Sequence, residues 1–215
     1  MSVFMPADVW LNTLMAVHIG IEMSRDLRLA AGRLVPPGTL AAGGTNLLRH
    51  ALELAARLTG LEFISVLTIE PDETVLELVA EFGCREAGAM QWVATLADLA
   101  PAAGPGDAAL ILRQTAPLRD ETALKLALGM LKQHRCITGA SRPPAGFWAS
   151  RARAGVPQPE PYVVRCFEAW RLSEFGKYGF SGPTSEMPLL ELDWDAFVEI
   201  DRPEDFERAA RLFKR

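Results

Sequence analysis

Short apolar runs alternate with amphipathic segments along the chain from Met15 to Gln133. The runs at 15–21, 62–69 and 108–112 have the length of strands, and the last is unbroken in its apolar character, as buried parallel strands are. Segments with apolar residues at helical spacing lie between and after these runs, and they start or end at capping residues or glycines. The predicted helices cover 45–59, 73–82, 90–99 and 120–133. This alternation predicts a parallel sheet covered by helices.

The loops that follow the predicted strands contain several arginines. In open α/β sheets, ligands bind beyond the carboxyl ends of the strands. We therefore expect the loops at 22–44, 70–72 and 113–119 to share one rim of the sheet. Because an arginine can hold a phosphate or a carboxylate with both arms of its guanidinium, this rim is a candidate anion-binding surface. The arginines in these loops are Arg25, Arg28, Arg33, Arg113 and Arg119.

The pattern changes after Cys136. Residues 139–161 are rich in proline, glycine and arginine, a strand candidate covers 162–166, and a short helix is expected over 167–175. We predict that 139–188 is a long excursion from the sheet, within a single domain that spans 1–215. An insertion of this size often forms a lid or a subunit contact.

Two carboxylates lie two residues apart near the C-terminal end, at Glu199 and Asp201. Apolar and polar residues alternate over 195–201, which predicts a strand. Pro203 suits the first position of a helix that continues to Phe213 with an apolar face. The two carboxylates then project from one strand face at the start of a helix, and such oxygen ligands suit Mg²⁺. The same pattern also fits a strand with a solvated acidic face.

Composition narrows the class of protein. The chain has 215 residues, of which 49% are hydrophobic, and this is enough for one sizeable α/β domain. A net charge of −5 argues against a nucleic-acid polymer as partner. The apolar stretch 9–21 is too short and too polar to cross a bilayer, and no basic region precedes it, so we expect no membrane partner. Three dispersed cysteines are typical of reduced thiols in a cytoplasmic protein.

Three motifs resemble those of the cytidylyltransferases that activate acidic sugars, the acylneuraminate and keto-deoxy-octulosonate type. Glu199-Ile-Asp-Arg-Pro-Glu-Asp-Phe206 is similar to the family's Asp-Ile-Asp-Thr-Pro-Glu-Asp-Phe/Leu, and Ser185-Glu-Met-Pro188 resembles the stretch that leads into it. Leu112-Arg-Gln-Thr-Ala-Pro-Leu-Arg119 resembles the sugar-side loop Leu-Gln-Pro-Thr-Ser-Pro-Leu-Arg. Leu76-Glu-Leu-Val-Ala-Glu-Phe-Gly83 is similar to the family's second βα unit.

The resemblance implies a fold and an activity. The fold is an α/β, three-layer nucleotidyltransferase sandwich, Rossmann-like, with a mixed and mostly parallel sheet. The activity is transfer of CMP from CTP to an acidic sugar, with release of pyrophosphate and with Mg²⁺ as cofactor. The resemblance also implies a homodimer.

The resemblance further implies roles for individual residues. Glu199 and Asp201 would hold the metal, and Arg33 and Asp201 would be catalytic. Arg25, Arg28 and Arg33 also fit solvated surface charges, and Arg119 fits a solvated position near the start of a helix. The implied substrate-binding residues are Arg25, Arg28, Arg113, Gln114, Thr115, Arg119, Tyr162 and Arg165.

Departures from the family pattern leave alternatives open. The family's phosphate loop has the form Arg-Gly-Gly-Ser-Lys, whereas Glu22-Met-Ser-Arg-Asp-Leu-Arg28 lacks the paired glycines that let a backbone surround phosphate. Gly32-Arg33 stands where the family has Gly-Lys, and Arg113 and Gln114 replace its Gln and Pro. A non-catalytic protein that keeps the fold and binds a nucleotide, a sugar or a partner protein is the alternative function. A different nucleotide preference is a further possibility.

Overall fold

The computed structural model describes residues 16–23, 27–28, 34–35, 40–69, 71–142, 164–178, 187–200 and 203–213. Seven strands form the main sheet: β1 (Val17–Glu22), β6 (Ile64–Leu67), β7 (Arg85–Ala87), β8 (Ala108–Arg113), β9 (Cys136–Ser141), β10 (Val164–Arg171) and β11 (Leu189–Glu191). Four two-residue strands pair as β2 (Leu27–Arg28) with β3 (Leu34–Val35), and as β4 (Ala41–Ala42) with β5 (Thr45–Asn46). The helices are α1 (Leu47–Ala56), α2 (Glu73–Phe82), α3 (Ala89–Leu99), α4 (Thr122–Met130), α5 (Leu172–Tyr178) and α6 (Pro203–Phe213).

The main sheet has the strand order β11-β9-β10-β8-β1-β6-β7. Strands β8, β1, β6 and β7 are parallel neighbours, β10 is antiparallel to both β8 and β9, and β11 is parallel to β9. The predicted mixed, mostly parallel sheet is therefore confirmed. In the central register, Ile19 of β1 lies opposite Ile64 of β6 and Leu110 of β8.

Helices cover both faces of the sheet and complete three layers. Val17, Ile19 and Ile21 alternate along β1 and pack with α1, α2 and α4 on one face. On the other face, Trp92 of α3 and Phe175 of α5 form a second core with the opposite side of β8. A third, smaller core joins α6 to β4 and to the segment at 198–200. None of the helices in these described ranges is both long and apolar enough to cross a bilayer.

Capping residues fix the helices that the sequence predicts well. The Asp72 carboxylate accepts a hydrogen bond from the Val75 N–H at 3.0 Å and starts α2, and Gly83 ends it with φ +65°. The predicted bounds 73–82 are confirmed. Helix α1 starts after Asn46, whose side-chain oxygen accepts from the Arg49 N–H at 3.0 Å, so the cap is one residue later than Thr45.

The prediction that 139–188 leaves the sheet is wrong in two places. Residues 136–141 form the buried strand β9, and Val164–Arg171 forms β10 between β8 and β9. The helix expected over 167–175 starts only at Leu172, because residues 166–170 are buried in succession between two helical layers, as a central strand requires. Residues 143–163 and 179–186 lie outside the described residues, so the lid or subunit contact stays a prediction.

The strand predicted over 195–201 is also wrong. The sheet strand in this region is β11, and within the described part of the chain the later segment makes one bridge, between Leu118 and Phe197. Phe197 and Val198 are both buried, into different cores, so adjacent side chains do not alternate between a core and solvent. The segment 194–200 therefore lies beside a loop rather than inside the sheet.

Candidate functional site

The carboxyl ends of β1, β6 and β8 meet at one edge of the sheet. Glu22 is in register with Leu67 on one side and with Arg113 on the other. Two backbone hydrogen bonds continue these pairings past the strands: Met23 N–H donates to the Leu67 carbonyl, and Gln114 N–H donates to the Glu22 carbonyl, each at 3.0 Å. The loops after these strands therefore leave from a shared rim, as predicted.

Backbone hydrogen bonds hold the segment that contains Glu199 against the loop after β8. The Ile200 N–H donates to the Thr115 carbonyl at 2.7 Å, and the Arg119 N–H donates to the Ala196 carbonyl at 2.8 Å. The bridge between Leu118 and Phe197 lies between these two contacts. Glu199 is half-buried in this arrangement. Two stretches that are far apart in sequence thus meet at the rim.

His50 of α1 supports the same loop from behind. Its Nε2 lies 2.6 Å from the Leu118 carbonyl oxygen, and its ring packs edge-on against Phe213 of α6. Burial lowers the pKa of His50, while the contact with Leu118 opposes that shift. A neutral imidazole with its proton on Nε2 donates to the Leu118 carbonyl. The sequence does not reveal this role, because a lone histidine on a helix has no distinctive spacing.

Arg113 lies between two carboxylates at the end of β8. Its Nε is 3.6 Å from Glu22 Oε2, and its Nη2 is 3.6 Å from Glu168 Oε1. Glu168 comes from β10 and is only 3% exposed. Burial raises the pKa of Glu168, and the charges of Arg113 and Arg165 oppose that rise. A titratable cluster of both charge signs is therefore present at the rim.

The carboxylates change what Arg113 can bind. Arg113 was predicted to hold a substrate carboxylate, but its guanidinium already faces Glu22 and Glu168, so a substrate would compete with them. Glu22 is 55% exposed and is the partner that can move away most readily. Sequence analysis missed both acids. A glutamate inside the otherwise apolar run 166–170 is the one signal that pointed to Glu168.

The remaining predicted site residues fall into two groups. Gln114 is buried and Thr115 half-buried in the turn after β8, Arg165 is half-buried on β10, and Arg119 is exposed. The backbone of Arg28 lies in β2, paired with Leu34. The predicted residues that lie outside the described part of the chain are Arg25, Arg33, Tyr162 and Asp201.

The described residues supply one of the two carboxylates that were predicted to hold Mg²⁺. Among the described residues no three His, Cys, Asp or Glu side chains form a group that could hold a metal ion. Mg²⁺ is usually held by one or two carboxylates together with substrate phosphates, so a three-residue cage is not required. Glu199 carries a hard oxygen donor, and the hydrogen bond from Ile200 to Thr115 places the backbone beside it at the rim. The residues therefore fit the ion by donor type.

Comparison with known proteins identifies the fold. No family model matches the chain, and no curated protein matches it in sequence. The 4-diphosphocytidyl-2C-methyl-D-erythritol synthase of Anaerococcus prevotii superposes with a TM-score of 0.60 at 13% identity, covering 94% of this chain and 99% of its own. The 2-C-methyl-D-erythritol 4-phosphate cytidylyltransferase of Thermus thermophilus gives 0.52 at 20% identity, with coverage of 92% and 100%. The chain has a cytidylyltransferase-like fold.

A third structure shows the breadth of this cytidylyltransferase-like fold. A glucose-1-phosphate thymidylyltransferase from Bacillus anthracis, solved in complex with a sucrose, superposes with a TM-score of 0.61 at 12% identity, covering 92% of this chain and 95% of its own. The proteins that share the fold are thus named for different nucleotides and different acceptors. The predicted nucleotidyltransferase fold is confirmed, and at such low identities the likeness extends to the fold alone.

Proposed function

We propose that this protein is a sugar-acid cytidylyltransferase, which transfers CMP from CTP to an acidic sugar and releases pyrophosphate. The observation that carries the proposal is the contact between the segment at 195–200 and the loop after β8. It brings Glu199 to the rim where the parallel strands of a cytidylyltransferase-like fold end. The family resemblance of these same two stretches in sequence supports the assignment.

The transfer consists of one substitution at phosphorus. A hydroxyl oxygen of the sugar attacks the α-phosphorus of CTP and gives up its proton to water. The bond from that phosphorus to the oxygen bridging to the β-phosphate breaks, and pyrophosphate leaves with the electron pair. Such a reaction depends on positioning and on neutralising charge more than on covalent participation of the protein. In the proposal, Glu199 and Asp201 hold Mg²⁺, which when bound neutralises phosphate charge and orients the reacting groups. Arg25, Arg28 and Arg33 bind the triphosphate.

Arginines at the rim would bind the carboxylate of the acidic acceptor. In the proposal the acceptor's carboxylate binds Arg113 by displacing the exposed Glu22, while the buried Glu168 keeps the guanidinium oriented. Arg165 supplies a second positive charge near Glu168. Thr115 and Tyr162 complete the proposed sugar pocket, and the fully buried Gln114 lies behind its surface. A homodimer in the cytoplasm, with a subunit contact from within 139–188, belongs to the same proposal.

Isothermal titration of CTP with and without Mg²⁺ tests the proposal. CTP binding is expected only with Mg²⁺. The Asp201→Ala variant is expected to abolish this binding, because the substitution removes a negatively charged ligand of the metal. Glu199→Gln should weaken binding about tenfold or more. Glu207→Gln, which removes an exposed carboxylate from α6, serves as the matched control and should bind CTP normally.

Release of pyrophosphate from CTP in the presence of acidic sugars separates catalysis from binding. The altered loop from Glu22 to Arg28, without paired glycines, favours a second candidate function, a non-catalytic protein that binds a nucleotide, a sugar or a partner protein. Magnesium-dependent CTP binding without pyrophosphate release from any acidic sugar would support that candidate. If CTP and the other nucleoside triphosphates all fail to bind, the transferase proposal is wrong.

A further inference from the structure

A cavity lined by arginines lies between α6, the loop after β8 and the segment that precedes Glu199. Its volume is about 320 Å³, near the lower limit for pockets that hold a small molecule. The buried side chain of Val198 contributes to its lining. Among the described residues that line it, arginines outnumber acids three to one: Arg119, Arg208, Arg211 and Asp195.

Arg208 is held in place before any ligand arrives. Its guanidinium stacks over the Trp194 ring at 4.0 Å from the centroid, and it donates to the Trp194 carbonyl. It also lies 3.5 Å from the Asp195 carboxylate, which is 80% exposed. This ion pair offsets one of the three guanidinium charges, and water screens it on the side of the mostly exposed carboxylate. Because the Arg208 side chain is already ordered, ligand binding costs less side-chain entropy of the protein.

The other two arginines are anchored through the backbone. The N–H of Arg119 is bonded to the Ala196 carbonyl, and Arg211 follows Arg208 by one turn on α6. Neither guanidinium forms an ion pair with another residue of the described chain, so both remain able to bind an external anion. Two exposed arginines therefore border the same cavity as Arg208, which is fixed.

We propose that this cavity is a binding site for a small phosphate monoester, distinct from the site for CTP. Three arginines beside one aspartate among its described lining residues suit a ligand whose charge approaches about −2 near neutral pH, as that of a phosphate monoester does. A guanidinium presents two parallel N–H donors that match the spacing of phosphate oxygens. The inference does not depend on the proposed transfer reaction, and it assigns Arg119 to this cavity together with α6 rather than to the cluster around Arg113.

Binding of glycerol 3-phosphate at constant ionic strength provides the test, with inorganic phosphate and acetate as comparison ligands. Saturable binding is expected for both phosphates, and acetate should bind more weakly because it carries a single negative charge. The indole N–H of Trp194, assigned by a Trp194→Phe variant, is the spectroscopic reporter, since it belongs to the ring under Arg208. Its NMR signal should shift along the same titration curve.

Variants at the two exposed arginines localise the site. Arg119→Gln and Arg211→Gln should each weaken binding about tenfold or more, because each loses a charged hydrogen-bond donor. Arg85→Gln, on the edge strand β7, removes an exposed positive charge elsewhere and should leave the affinity unchanged. Both cavity side chains are exposed, so these variants are expected to fold as the wild-type protein does.

Three results would overturn the inference. They are the absence of saturable phosphate binding, equal affinity in Arg211→Gln and wild type, and displacement of glycerol 3-phosphate by CTP in simple competition. The transferase proposal is tested separately by titrating Arg211→Gln with CTP in the presence of Mg²⁺. The CTP affinity of this variant should match that of wild type. A failure of phosphate binding alone then leaves the CTP result intact, and a failure of CTP binding alone leaves the phosphate site intact.

Discussion

At the scale of single residues, Glu168 gives the rim a distinctive pH dependence. Burial raises its folded-state pKa above the ordinary value of 4.5, so the folded protein holds a proton that the unfolded chain has already lost. Its contribution to the free energy of unfolding is complete below pH 4.5 and is lost as the pH rises through the folded-state pKa. Glu168→Gln cannot ionise, so its stability relative to wild type should rise over that range.

Denaturant unfolding of Glu168→Gln between about pH 3 and pH 8 measures this difference. Glu81→Gln is the matched control, and its stability relative to wild type should change with pH in the opposite direction. The Arg49 guanidinium donates to Glu81 at 2.6 and 2.5 Å and lowers the pKa of that carboxyl, so its contribution is present above pH 4.5 and is lost in acid. If the stability difference between Glu168→Gln and wild type is independent of pH, Glu168 does not have the buried environment described here.

His50 supplies a second residue-scale prediction. Burial lowers its folded-state pKa below 6.5, so acidification from pH 6.5 through that lower pKa should destabilise the wild-type protein, because the unfolded chain binds the proton first. His50→Gln, whose amide can still donate to the Leu118 carbonyl, should lose this pH dependence. His50→Ala leaves that carbonyl without its donor and should cost about 1–2 kcal/mol at neutral pH. Equal stability of the two variants at neutral pH would contradict the contact.

At the scale of elements, β9 depends on a glycine that the sequence pattern does not mark. A Cβ atom at Gly139 would overlap the ring of Phe167 in β10, where both residues are buried in the interior of the sheet. Gly139→Ala should therefore cost about 1–3 kcal/mol through overpacking. Gly129→Ala is the matched control, because nothing lies within 4 Å of its Cβ position on α4, and it should gain about 0.5–1 kcal/mol. Thermal unfolding of both variants decides whether β9 and β10 pack as described.

Elements whose signals are local could be predicted from sequence, and elements defined by distant contacts could not. Helix α2 combines an aspartate cap with a terminal glycine, and β8 is an unbroken apolar run, so both were found. Strand β9 contains Gly139, Ala140 and Ser141, which predict a loop from the sequence alone. Pairing with β10 makes this segment a strand. The acidic segment, residues 195–200, has the sequence alternation of a strand, yet its backbone hydrogen bonds go to the loop after β8 rather than to a neighbouring strand. Glu168 was hidden because only the packed sheet reveals its proximity to Arg113.

At the scale of the whole molecule, the three cores connect the proposed nucleotide site to some parts of the fold more directly than to others. Val198 and Ile200, on either side of Glu199, pack in the core of α6 and β4, and Phe197 packs in the core of α1 and α4. The core of α3 and α5 contains none of these residues. Ligand binding that orders the acidic segment should therefore stabilise α6 more than α3.

Hydrogen exchange with and without CTP and Mg²⁺ tests this connection across the chain. Ligand at about 100 times its dissociation constant stabilises the folded protein by about 2.7 kcal/mol, and this slows exchange through global unfolding everywhere. Amides that exchange by local opening should be slowed selectively in 114–119, 195–200 and α6, because these segments share hydrogen bonds and a core with Glu199. Amides of α3 serve as the internal control and should keep their local exchange rates. Equal slowing in α3 and α6 would contradict this connection, since the acidic segment would then move with the molecule as one unit.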